Sequence, residues 1–195
     1  IGLGAYDAAD TENDNLAIGY DALGAAIAGG EFNVAIGNYS LDANTSGDRN
    51  TAIGYAALGA NTTGSSNVAI GSESLDANAG GEQNVAVGFY TLTSNTGGTA
   101  NTALGSYAGY ATTANYNTAV GHQSLYLNSN GSSNTAIGRQ ALKANSSASD
   151  NTAVGENAGD VITTGSNNVI IGSGADPSAN SGTNQIVIGY NVTGT

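Results

Sequence analysis

The side chains able to do chemistry are few and poorly placed for it. His122 is the only histidine. It follows Gly121 with no Ser or Asp partner at a recurring offset, so it reads as an exposed turn residue and not as a general base or metal ligand. Asp7, Asp10, Glu12 and Asp14 could offer oxygens to Ca²⁺, but they lack the ligand spacing and glycine of a known calcium loop, and no GGxGxDx nonapeptide is present. A solvated terminus accounts for them. Gly172-Ser173-Gly174 is a fragment of a phosphate loop without the helix that would follow, in a chain with 30 glycines. Tyr20, Tyr39, Tyr55, Tyr90, Tyr107 and Tyr190 each follow a recurrent glycine by one or two places. They could form a shallow aromatic stripe for sugar stacking, or pack between chains or coils.

Composition removes further classes. Arg49, Arg139 and Lys143 stand against 15 acidic residues, too little positive charge to neutralise nucleic-acid phosphates or dock on an anionic membrane. The absence of Cys excludes disulfides, thiolate metal sites and cysteine nucleophiles. No apolar run approaches the roughly 20 residues of a membrane span, so no membrane insertion by this segment is expected. The expectation is therefore no catalytic residue, no metal site and no cofactor. Most carboxylates lie at or before Glu82, which suits either a soluble rod or a cation-bridged surface contact. The Asn-x-Ser/Thr sequons at Asn38, Asn44, Asn61, Asn130, Asn145 and Asn191 follow from composition alone.

Leu, Ile, Val and Phe are scarce enough, beside a formal charge of −12, that composition alone points to disorder. The order of the residues overrides this. A pentapeptide Asn-(Thr/Val)-Ala-(Ile/Val/Leu)-Gly starts at Asn33, Asn50, Asn67, Asn84, Asn101, Asn117, Asn134 and Asn151, with degenerate copies at Asn15, Asn168 and Gln185. Its glycines are Gly2, Gly19, Gly37, Gly54, Gly71, Gly88, Gly105, Gly121, Gly138, Gly155, Gly172 and Gly189, spaced by 17 residues apart from one interval of 18 and one of 16. With the Asn as position 0, position 7 is small, position 8 is usually Leu, position 11 is often a second Asn and position 14 often a second Gly.

A 17-residue unit with this punctuation holds no ordinary helix, and its apolar pieces alternate with period two. The expected fold is all-β: a parallel β-solenoid (β-roll) of eleven to twelve coils, one repeat region over residues 1–195. At about 4.8 Å per coil the rod would be on the order of 55 Å long. Asn15, Asn33, Asn50, Asn67, Asn84, Asn101, Asn117, Asn134, Asn151 and Asn168 are expected to form a hydrogen-bonded ladder. The glycines are expected at positive φ or where no Cβ fits. Two core ladders are expected: position 3 (Ile18, Ile36, Ile53, Ile70, Val87, Leu104, Val120, Ile137, Val154, Ile171, Ile188) and position 8 (Leu23, Leu41, Leu58, Leu75, Leu92, Leu125, Leu142). Ala at position 2 and Gly at position 4 share the face opposite position 3. That small-residue face would pack against sister chains, because each coil has too few large residues to fill an isolated solenoid. Where Ala108-Gly109 and Ala158-Gly159 replace the Ala-Leu pair, a dent filled by Tyr107, Tyr110 or Tyr116 is expected. Pro177 is placed beyond a strand, where its missing N–H is tolerable.

These repeats resemble the heads of trimeric autotransporter adhesins, whose units carry an Asn-Ser-Val-Ala-Ile-Gly motif, and the longer Asn-Thr-Ala-Ile-Gly-Tyr-x-Ala-Leu repeats of bacterial surface and phage tail-fibre-like proteins. Asn50 to Ser66, NTAIGYAALGANTTGSS, is the cleanest copy. The resemblance implies a homotrimeric, non-catalytic extracellular fibre segment on a cell or virion surface, cut from a longer fibre and meeting surface glycans or host receptors. An ice-binding solenoid is the alternative; with position 1 divided between Thr and Val, and Ala beside it, no clean double Thr rank is expected. A solenoid enzyme would need a groove with basic residues and irregular insertions, which this sequence lacks.

Overall fold

The computed structural model describes residues 14–25 and 30–195. Asp7, Asp10 and Glu12 of the acidic run, and the first copy of the motif at Gly2, lie outside the described residues.

Eleven three-residue strands, one per repeat, cover positions 1 to 3 of the unit: β1 (Leu16–Ile18), β2 (Val34–Ile36), β3 (Thr51–Ile53), β4 (Val68–Ile70), β5 (Val85–Val87), β6 (Thr102–Leu104), β7 (Thr118–Val120), β8 (Thr135–Ile137), β9 (Thr152–Val154), β10 (Val169–Ile171) and β11 (Ile186–Ile188). They form one sheet in sequence order. Each pairs in parallel with the next, motif position on motif position, as in Thr51↔Val68, Ala52↔Ala69 and Ile53↔Ile70. The fold is thus the expected parallel β-solenoid, about 48 Å along its axis for ten intervals of about 4.8 Å. The short coil keeps this register, Thr102 pairing with Thr118, because its deletion falls in the turn between Thr112 and Asn117.

Corners are made by backbone at positive φ. Gly at position 4 has φ between +127 and +150 from Gly19 to Gly189. The position-8 leucines also turn left-handed, with φ from +49 to +54. Each such residue costs about 1–2 kcal/mol locally. Complete burial of the Leu side chain and hydrogen bonds to the next coil, such as Leu58 N–H to the Ser74 carbonyl at 3.0 Å, hold it there.

The interior corrects one sequence expectation. The leucines at position 8 are fully buried as expected, but they face the alanines of position 2, and Ala35, Ala52, Ala69, Ala86, Ala103, Ala136 and Ala153 are 0% exposed within the single chain. Position 3 points outward: Ile18, Ile70, Leu104, Ile137, Ile171 and Ile188 are exposed, while Ile36, Ile53, Val87, Val120 and Val154 are half-buried. The expected core ladder at position 3 therefore lies on the outer face, and the small-residue face meets its own coil instead of a sister chain. The reason is volume. A 17-residue coil is so narrow that Leu from one wall leaves room only for Ala on the other.

The Leu-deficient coils support this. At Gly109 the Leu92 side chain moves in, its Cδ2 at 2.8 Å from where a Cβ would stand. At Gly159 the space is taken by Leu142, Ile162 and Ile170, and Ile170 occupies position 2 where other coils have Ala. Tyr107, Tyr110 and Tyr116 do not fill these gaps; their rings remain at the surface, where the phenol hydroxyls keep access to water. Pro177 lies outside the strands, next to the Asp176↔Thr193 bridge.

Two Asn columns complete the interior. In the first, each position-0 backbone N–H donates to the Asn Oδ1 one coil earlier, at 2.7 Å from Asn33 to Asn15 and 2.9 Å from Gln185 to Asn168 at the other end. In most coils, though not at Asn117, which donates to Asn115 O at 3.1 Å after the shortened turn, the same Asn donates its Nδ2 to the turn carbonyl at position 14, as Asn50 does to Gly64 at 2.8 Å. A second column at position 11 meets that carbonyl from the other side, Asn61 Nδ2 to Gly64 O at 3.0 Å, and links to the preceding coil through Asn44 Oδ1 at 3.0 Å. Both lone pairs of one turn carbonyl are thereby used. The coil-to-coil links of this column run from Asn44 to Asn78, whose Oδ1 has no partner; Asn95 closes only its own turn, Thr112 takes the next Asn place, and the link resumes from Asn145 to Asn128.

Candidate functional site

The solenoid presents two surfaces with enough regularity to recognise something. The first is the outer face of the sheet. Because residues two apart in a strand share a face, positions 1 and 3 form two parallel ranks, about 6.6 Å apart along the strand and about 4.8 Å from coil to coil. The first rank carries Leu16, Val34, Thr51, Val68, Val85, Thr102, Thr118, Thr135, Thr152, Val169 and Ile186; the second carries the outward Ile, Val and Leu of position 3. No charged residue stands in either rank.

The second surface is the column formed by positions 5, 6 and 9, on the turns that follow the strands. At its N-terminal end Tyr20, Tyr39 and Tyr55 touch edge to face, with centroids 5.4 and 5.8 Å apart. In the middle, Tyr90 stacks on Tyr107 at 5.7 Å, and Tyr110 on Tyr126 at 5.1 Å, with Phe89 edge-on to Tyr90 and Tyr107. His122 lies edge-on to Tyr107 at 6.3 Å and is exposed, as its turn position implies. A hydrogen bond to the Glu73 carboxylate pushes the Tyr90 phenol up to about 12. Beyond the rings the column carries paired charges of both signs, with Arg139 paired to Glu156 and Lys143 near Asp160.

Between the first ring group and the middle one is a notch of about 350 Å³, lined by Tyr39, Asp42, Tyr55, Ala56, Gly59, Ala60 and Asp76. It exists because position 9 is Asp, Gly and Asp in three consecutive coils. Burial raises both carboxyls above the usual value, reinforced by the Asp21 charge at Asp42 and the Glu73 charge at Asp76.

The residues singled out from sequence divide between these surfaces and the interior. The Asn ladder and the glycine stack are structural: at Gly54 a Cβ would stand 2.5 Å from the Gly71 carbonyl oxygen. Gly172, of the phosphate-loop look-alike, belongs to that same stack with φ +130. Three sequon asparagines, Asn44, Asn61 and Asn145, are completely buried in the second column and cannot carry a glycan, whereas Asn38, Asn130 and Asn191 are exposed. Of the expected tyrosine stripe, Tyr20, Tyr39 and Tyr55 form one group and Tyr90 and Tyr107 another, which Phe89, Tyr110 and Tyr126 join, while Tyr190 stands exposed outside both groups; positions 5 and 9 converge only once the turns are folded. Among the described residues no group of three or more His, Asp or Glu is arranged to hold a metal ion, and no helix is long and apolar enough to cross a membrane. Compared with known proteins, the chain matches no family model, no curated protein and no solved structure.

Proposed function

We propose that this chain is a non-catalytic structural and adhesive fibre segment, exposed outside a cell or on a virion, that assembles as a parallel homotrimer and presents its turns for attachment. The observation that carries the reading is the uninterrupted double rank of apolar and Thr side chains on the outer face of an eleven-stranded sheet. Its extent, about 48 Å by about 10 Å, is on the order of 500 Å², near the upper limit for an apolar patch on a soluble monomer. Sister chains that bring these faces together around one axis would cover it, and the identical coil repeat keeps the three in step. This moves the associating surface from the Ala/Gly positions to the Ile/Val positions. The resemblance to trimeric adhesin heads and tail-fibre repeats fits this arrangement, and the aromatic column supplies rings on which surface glycans or a host receptor would stack.

Light scattering on the native particle tests it: a trimer of about 57 kDa, three times the 19.0 kDa chain, is expected. Ile70→Asp, in the middle of the outer rank, should lower the mass toward that of one chain while leaving the β-rich circular dichroism intact. A monomer at every concentration overturns the trimer. The regular outward ranks also favour a second reading, an ice-binding face, because the outward neighbour of each position-1 Thr or Val is the position-3 aliphatic and not the small Ala. A monomer with thermal hysteresis would select it.

A further inference from the structure

The notch beside Tyr39 and Tyr55 has the shape and charge of a small-molecule site, and the chain's own residues leave it unfilled. Gly59 removes one side chain from position 9, and the Asp76 carboxylate leans into the gap, its Oδ1 only 2.8 Å from where a Gly59 Cβ would stand. Asp42 bounds the opposite rim, two coils away or about 9.6 Å along the axis, with its Oδ1 turned toward the preceding coil, 2.7 Å from where a Gly24 Cβ would stand. The two rings, 37% and 51% exposed and nearly perpendicular at 83°, supply the remaining walls.

No internal cation neutralises this site. Arg49 is held against Asp48 and the Phe32 ring, and Arg139 and Lys143 stand five coils beyond Gly59, about 24 Å away. The Asp76 carboxylate inside the gap, the Asp42 charge at its rim and two aromatic rings favour a positively charged guest with an apolar body: the charge meets the Asp76 oxygens and the ring electrons, and the body covers the rings. A bare divalent metal would find too few oxygens, since Ca²⁺ takes six to eight. A neutral polyol would leave the carboxylate charges uncompensated.

We propose that the Gly59 notch binds an organic ammonium ion, a primary amine carried on an alkyl chain or a sugar ring. The inference does not depend on the trimer, because it uses only residues of one chain.

Saturation-transfer NMR on the native protein tests it with four probes: n-butylammonium, glucosamine, and their uncharged counterparts n-butanol and glucose. Both amines should give saturable signals and compete with each other, while the neutral probes bind at least tenfold more weakly. Asp76→Asn should weaken amine binding at least tenfold. Gly59→Thr, which fills the notch with the residue that position 9 carries at Thr93, should abolish it with the circular dichroism unchanged. Tighter binding of glucosamine than of butylammonium assigns the site to an amino sugar; the reverse assigns it to an alkylamine such as a lysine side chain. Equal binding of charged and neutral probes overturns the proposal, as does amine binding that both variants leave unchanged.

Discussion

Asn67→Asp exchanges one NH₂ for one oxygen inside the first Asn column, with almost no change of shape. Asn67 is fully buried; its Oδ1 accepts from the Asn84 backbone N–H at 2.9 Å, and its Nδ2 donates to Gly81 O at 2.8 Å and to Asn50 Oδ1 at 3.2 Å. In the Asp variant the acceptor role of Oδ1 survives, but the one new oxygen faces both Gly81 O and Asn50 Oδ1, where two hydrogen bonds had been. Each lost bond that strands a buried group costs about 1–3 kcal/mol, so a loss of about 4 kcal/mol is expected at pH 7, where the carboxylate is also desolvated. Lowering the pH protonates the carboxyl, and one O–H can again donate to Gly81 O, recovering roughly half. The assay is guanidinium denaturation at pH 7 and pH 4, with amide exchange at Asn84 reporting local opening. Asn67→Ala, which cannot titrate at this position, should keep the same stability difference from the parent protein at both pH values. A cost below about 1 kcal/mol for Asn67→Asp at pH 7 would refute the view that the column is a satisfied, water-free ladder.

Leu58→Ala should cost about 2–5 kcal/mol from lost burial. Leu58→Gly should be no worse and up to about 1 kcal/mol better, because Gly relieves the φ of +53 that Ala would keep; denaturation midpoints of the pair decide it. Gly54→Ala places a Cβ against the Gly71 carbonyl at φ +138 and should cost more than about 3 kcal/mol, read as a lowered melting temperature with early exchange in β3 and β4. The carboxyls of Asp42, Asp76, Asp160 and Asp176 are each raised from 3.8, chiefly by burial, so the folded state binds their protons more tightly than the unfolded chain does. Their destabilisation is present above the raised values and disappears below 3.8, so the melting temperature should rise as the pH falls from 7 to about 4; a fall over that interval contradicts the assignment.

The coil period, the Asn column, the glycine stack and the Leu ladder were all legible, because each is a strict periodicity whose meaning does not depend on which way a side chain points. The orientation of the strand was not. Alternation says that Ala52 opposes Thr51 and Ile53, and leaves open which face is interior; hydrophobicity alone put Ile53 inside. The usable signal was constancy of size. Ala holds position 2 from Ala17 to Ala153 while positions 1 and 3 vary among Thr, Val, Ile and Leu, and a wall that must fit a fixed Leu tolerates less variation than a wall facing outward. The notch was hidden for another reason. Asp42, Gly59 and Asp76 are 17 residues apart and unremarkable one by one, and only their common position in consecutive coils makes a cavity.

Because β4 pairs only with β3 and β5, and every coil closes its own turn carbonyls, the rod behaves as a counted stack. Removing Asn67 to Gln83 would join Ser66 to Asn84 across a junction chemically like the one it replaces, shortening the rod by about 4.8 Å without altering any other coil. Length is therefore a digital variable in this architecture. Duplication or loss of a 51-nucleotide unit resets how far the rod reaches, and the outward ranks of the coils that remain stay in line.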